Sequence, residues 1–139
     1  MKYLKIIILS IAACMLLCAC PDKDGHYSIT IVNKSEKTIL CQPQIIKIGE
    51  EYEQYDCQRV NRIINKDSTY EFEKIRHSWE QELDGYYIQL LLMDAETFDQ
   101  YISAPCDTIR KYVPILHTYR LTLEDLERMN WTVVYSPEE

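Results

Sequence analysis

The chain has 139 residues, 47% hydrophobic and 27% charged, with three Gly, five Pro and six Cys; this suits one ordinary globular domain and excludes a disordered, polytopic or large multidomain chain. The formal charge is −7, and setting aside residues 1–19, whose only charges are Lys2 and Lys5, leaves 13 basic against 22 acidic side chains, or −9. That balance excludes a nucleic-acid partner, which needs a basic footprint, and the remaining 120 residues are enough to bury roughly two thirds of their unfolded surface.

Met1–Lys5 is a short positive segment and Ile6–Leu17 a 12-residue, largely apolar run, the length of a signal-peptide hydrophobic region and too short for a bilayer span of about 20 residues. Leu17-Cys18-Ala19-Cys20 resembles a bacterial lipobox: an aliphatic residue, two small ones and a cysteine. The resemblance implies cleavage before Cys20 and acylation of its sulfur as a thioether to diacylglycerol, with three acyl chains anchoring it to a membrane. The competing reading is an ordinary secretory peptide cut near Ala13 or Ala19. Pro21–Gly25 is a polar tether. The organisation expected is therefore a signal peptide at 1–19, a lipidated cysteine and tether at 20–25, and one domain at 26–139.

His26–Val32 alternates through Tyr27, Ile29 and Ile31, which predicts a half-buried strand, with Lys37–Cys41 as its hairpin partner across the turn-prone Asn33–Glu36. Pro43 interrupts, and Gln44–Ile48 reads as a further short strand closed by Gly49. Glu50, Glu51, Glu53 and Asp56 mark a solvated loop with Tyr52 and Tyr55 at its edge. Gln58–Ile64 and Thr69–Ile75 read as a second hairpin around Asn65–Ser68. His77–Leu83 is a helical turn, and the unbroken apolar run Tyr86–Met93 predicts a central strand covered on both faces.

Asp94 is placed to cap a helix through Tyr101, and Pro105 to start another through Tyr112. Thr122 and Asp125 approximate a capping box, with Leu121 and Leu126 as its hydrophobic staple, so a helix is expected over Leu123–Met129. Asn130 suits a left-handed C-cap, and Trp131–Tyr135 a final strand. These elements together predict a mainly β fold, an immunoglobulin-like two-sheet antiparallel sandwich with short inserted helices.

Leu90–Thr97, Asp107–Arg110 and above all Tyr119–Pro137, with its Leu-Thr-Leu-Glu-Asp-Leu-Glu-Arg-Met-Asn-Trp-Thr-Val-Val-Tyr run, resemble the C-terminal part of small lipoproteins common in gut Bacteroidetes. The resemblance covers the C-terminal third and the lipobox. It implies a location and a shared fold, and supplies no catalytic residues.

Past Cys20, the odd set Cys41, Cys57 and Cys106 suits an oxidising compartment in two ways: a Cys41–Cys57 disulfide that leaves Cys106 a free thiol, or buried thiols that simply pack. His77 and Glu80 share a helical spacing, but two ligands do not make a zinc site. Asp94, Glu96 and Asp99 lack the glycine and closing acid of a calcium loop. No metal and no cofactor are expected, and nothing marks a phosphate cradle or nucleophile elbow. The Tyr content points instead to an aromatic binding patch among Tyr52, Tyr55 and Tyr101.

The function expected is a noncatalytic binding module, anchored by lipid in the outer membrane on its periplasmic or surface-exposed side, for an unidentified protein or glycan. Two alternatives stand beside it: a structural or protective partner of another envelope protein, using the acidic loop, and a small hydrolase.

Overall fold

The computed structural model describes residues 25–137 other than Glu53; the expectations for residues 1–24, Cys20 among them, lie outside the described residues. In chain order the elements are β1 (Ser28–Asn33), β2 (Ile39–Lys47), β3 (Arg62–Ile64), β4 (Thr69–Glu73), α1 (Trp79–Glu82), β5 (Tyr86–Asp94), α2 (Ala95–Tyr101), α3 (Cys106–Tyr112), β6 (Ile115–Leu121), α4 (Leu123–Arg128) and β7 (Thr132–Tyr135). They form a mainly β sandwich of a three-stranded sheet, β4-β1-β7, and a four-stranded sheet, β3-β2-β5-β6. All pairs are antiparallel except β1 with β7. The β2–β5 pairing is also found in immunoglobulin domains between the second and fifth strands, but β3 here joins β2 and β6 joins β5, so the strand order is its own.

Neither expected hairpin forms, because each turn carries the chain from one sheet to the other. β1 pairs with β4 and β7, and β2 with β3 and β5. The crossover is held by Asn33, whose fully buried amide donates to the carbonyls of Lys37 (2.8 Å), Ile64 (3.1 Å) and Asn65 (3.1 Å) while its oxygen accepts from Ser35. One side chain thus satisfies backbone groups of both crossovers that a hairpin ladder would otherwise have paired.

Pro43 does not end a strand, as the sequence suggested; β2 runs through it. β3 covers only Ile39–Cys41, so beyond Cys41 one side of β2 is an edge, where a residue lacking an N–H is tolerated. The strand β6 leaves no periodic signal in the sequence, because it is mostly exposed and a register shift opposite Leu92 and Met93 breaks its alternation.

The expectation for β5 is met: Ile88, Leu90 and Leu92 enter the core between the sheets with Ile29, Ile31, Ile39, Leu126 and Val133. On its other face Met93, with Leu40, joins Phe98, Ile109 and Val113 beneath α2 and α3. The helices start where their caps dictate. The Thr122 hydroxyl accepts from the Asp125 N–H and the Asp125 carboxylate from the Thr122 N–H (2.9 Å), above buried Leu121 and Leu126. Asn130 is left-handed as expected (φ 50°), and so is Trp131 (φ 58°).

Asp94, nearly buried, caps α2 by accepting from the Thr97 N–H at 2.8 Å and lies 3.2 Å from the Lys37 ammonium. That backbone N–H foremost, then the Thr97 hydroxyl and Lys37, outweigh burial and hold the Asp94 carboxyl below its ordinary pKa. Asp94→Ala is expected to lower stability by roughly 1–2 kcal/mol at neutral pH. A depressed carboxyl stabilises above its unfolded value of about 3.9 and loses that contribution as pH falls through the lower folded value. Urea titrations of both proteins check this, since the gap between their midpoints narrows in acid.

Candidate functional site

Alternation along β2 turns Cys41 and Ile45 toward the inner core and Gln42 and Gln44 to the outer face, where Gln89 of β5 joins them. All three glutamines are buried because the segment from Ile48 to Asn61 lies over them. Gln42 donates to the Asp56 carbonyl (2.8 Å) and accepts from the Asp56 N–H (2.8 Å). Gln44 donates to Gln42 (2.9 Å) and the Gln54 carbonyl (3.3 Å). Gln89 donates to Gln44 (3.0 Å) and to the Tyr52 carbonyl, and accepts from the Arg120 guanidinium (3.2 Å). The acidic loop is thus hydrogen-bonded to the sheet at Tyr52, Gln54 and Asp56, and its backbone is an ordered surface.

Between this loop and the ends of β2 and β5 runs an open groove of about 470 Å³, lined by Lys47, Glu50, Glu51, Tyr52, Asp56, Arg59 and Tyr86 among others. Tyr52 is 43% exposed and Tyr86 41%. Their rings offer apolar faces with polar edges, beside side chains of both charges, the carboxylates of Glu50, Glu51 and Asp56 and the cations of Lys47 and Arg59. Asp56 is committed locally, accepting from the Gln58 N–H (2.9 Å) and the Arg59 guanidinium (3.1 Å). Glu50 and Glu51 are exposed at the rim.

Of the three tyrosines expected to form a patch, only Tyr52 lines this groove. Tyr55 is 6% exposed: it packs edge-on against Phe98 (5.7 Å between centroids), and its carbonyl accepts from Arg110 (2.9 Å). Tyr101 stacks on Tyr112 (5.2 Å) in the helical layer. Tyr86 gives no signal of a binding role in the sequence, because it opens the apolar run of a covered strand; only the register, which sets it opposite Lys47 at the end of β5, exposes it.

The cysteine pairing also differs from the expectation. Cys57 is bonded to Cys106, with Cα atoms 5.9 Å apart, and Cys41 is the free thiol. Cys41 points into the inner core while Cys57 sits on the loop over the outer face, so β2 itself separates them. Burial pushes the Cys41 thiol up to about 12, leaving it protonated and inert as a nucleophile.

His77 does not join Glu80 in a ligand pair. Glu80 instead accepts from the His26 N–H (3.0 Å) and contacts its ring nitrogen Nδ1 (2.6 Å), while the His26 ring stacks on Trp131 (4.2 Å). Burial raises the Glu80 pKa, but the hydrogen bonds, chiefly from His26, outweigh it and leave the carboxyl below its ordinary value. Its role is to fasten the start of the domain to α1. Among the described residues no group of three or more His, Cys, Asp or Glu is arranged to hold a metal ion, and no helix is long and apolar enough to cross a membrane.

No protein-family model, curated protein or solved structure matches the chain.

Proposed function

We propose that this chain is a lipid-anchored lipoprotein of the bacterial outer membrane whose β-sandwich is a noncatalytic binding domain for a protein or a glycan. The observation that carries the binding role is the groove: two half-exposed tyrosine rings beside Lys47, Glu50, Glu51 and Arg59, with Tyr52 on a loop that buried glutamines hold in place and Tyr86 at the end of β5. Rigid amphipathic rings with adaptable hydrogen-bonding neighbours give recognition at low entropic cost. Support for the anchor comes from Leu17–Cys20.

Cys20→Ala is expected to move the protein from the membrane fraction to the soluble fraction with its fold unchanged; retention in the membrane overturns the anchor. Proteolysis of intact cells, with lysed cells as control, then selects the leaflet. Cleavage before lysis places the domain outside the cell, and protection until lysis places it in the periplasm. Stacking on Tyr52 and Tyr86 is largely insensitive to salt, whereas a basic partner held by Glu50 and Glu51 weakens steeply as salt rises.

A further inference from the structure

The two poles of the sandwich differ. At one, the turns Lys34–Lys37 and Asn65–Ser68 are polar throughout. At the other, the turn from Lys47 to Glu50, closed by a Glu50 N–H to Lys47 carbonyl bond (3.0 Å), carries Ile48 at its tip, 59% exposed. Gly49 supplies the positive φ (94°) that places Ile48 there. The segment after β4 carries Ile75, 95% exposed, followed by exposed Arg76. An isoleucine left almost wholly in water at a loop tip gains nothing from the fold.

The chain enters the domain at this same pole. Ser28 pairs with Glu73, the Lys74 N–H donates to the Tyr27 carbonyl (2.7 Å), and the Trp79 N–H to the His26 carbonyl (2.8 Å). On the second sheet, Lys47 faces Tyr86 and the Ile48 N–H donates to the Gly85 carbonyl (3.1 Å). Cys20 lies five residues before Gly25, a span of at most about 18 Å when fully extended. A lipid on Cys20 therefore keeps the entry point of the chain, and with it the pole that carries Ile48 and Ile75, within reach of the membrane surface.

We infer that this pole docks on the bilayer, with Ile48 and Ile75 entering the interface and the Lys47 side chain reaching the headgroups. The inference rests on the lipid anchor proposed above. Because Glu50, Glu51, Glu73 and Asp84 share the pole with Lys47 and Arg76, the attraction is apolar, does not depend on Arg76, and persists in salt. Docking sets the tyrosine groove, which adjoins the pole along the outer face of the second sheet, at headgroup level.

The test uses the lipidated mature protein on phosphatidylethanolamine–phosphatidylglycerol vesicles containing a lipid with a nitroxide near the top of its acyl chain. A fluorophore is attached through Arg76→Cys or, at the opposite pole, through Lys66→Cys. Strong quenching is expected at position 76 and little at position 66, in low and in high salt. Adding Ile48→Ser and Ile75→Ser, both at exposed positions, is expected to cut the quenching at 76 about threefold or more while the protein stays on the vesicles. Equal quenching at the two positions, or quenching at 76 that survives the double substitution, overturns docking alone. A purified protein whose mass shows no diacylglycerol on Cys20 overturns the anchor and the docking together.

Discussion

Replacing Cys57 and Cys106 by serine should lower the free energy of unfolding by roughly 4 kcal/mol, the chain-entropy value for a link closing a sequence separation of 49 residues. The bond ties the acidic loop to α3 across β3, β4 and β5, so it restricts nearly half the described chain in the unfolded state. In the folded state the loop keeps its other ties, to Gln42, Gln44 and Gln89 below and to Arg110 beside it. The native fold should therefore persist, with a lower urea midpoint and a steeper dependence on urea as the unfolded chain expands. A reducing agent should shift the wild-type midpoint to that of the double variant and leave the double variant where it was. Peptide mapping that finds Cys41 bridged, or a midpoint indifferent to reductant, would overturn the pairing.

Gln89→Leu should destabilise by roughly 3 kcal/mol although it replaces a buried amide with an apolar side chain of similar size. The Gln89 amide supplies hydrogens to the buried Gln44 oxygen and the partly buried Tyr52 carbonyl, and a buried acceptor left without a donor costs about 1–3 kcal/mol. The loss is also local. With the Tyr52 tie gone, segment 50–59 should be nicked by protease faster than the sandwich unfolds, and the groove should lose its fixed wall. Denaturation curves measure the first effect and peptide-resolved proteolysis the second; a stabilised Gln89→Leu protein would show that the glutamine cluster does not hold the loop.

Much of the local structure was legible in the sequence, for reasons that particular residues show. β1 follows from alternation through Ile29 and Ile31, and β5 from an apolar run with no alternation at all. Thr122 with Asp125, and Asp94 with Thr97, announce helix starts because a cap is made within one turn. Pro43 misled because the cost of a missing N–H depends on whether a neighbouring strand needs it, and β3 stops short of it. Tyr55 and Tyr86 exchanged roles for a similar reason: a tyrosine in a connection was buried by helices arriving later in the chain, while one in a strand was left exposed at its end.

By itself, then, the sequence determined where most strands and helices lie, that the domain is mainly β, and that a lipid anchor is to be sought at Cys20. These are properties of neighbours within a few residues, set by side-chain period and capping. Only the tertiary structure decided that β1 and β2 belong to different sheets, that Cys57 meets Cys106 and not Cys41, and that Tyr52 and Tyr86 share a groove. Backbone hydrogen bonds between strands are nearly indifferent to sequence, so the choice of partner falls to the packing of the whole sandwich and to single buried groups such as Asn33. Cysteines and tyrosines meet only after that choice has put them on the same side of a sheet.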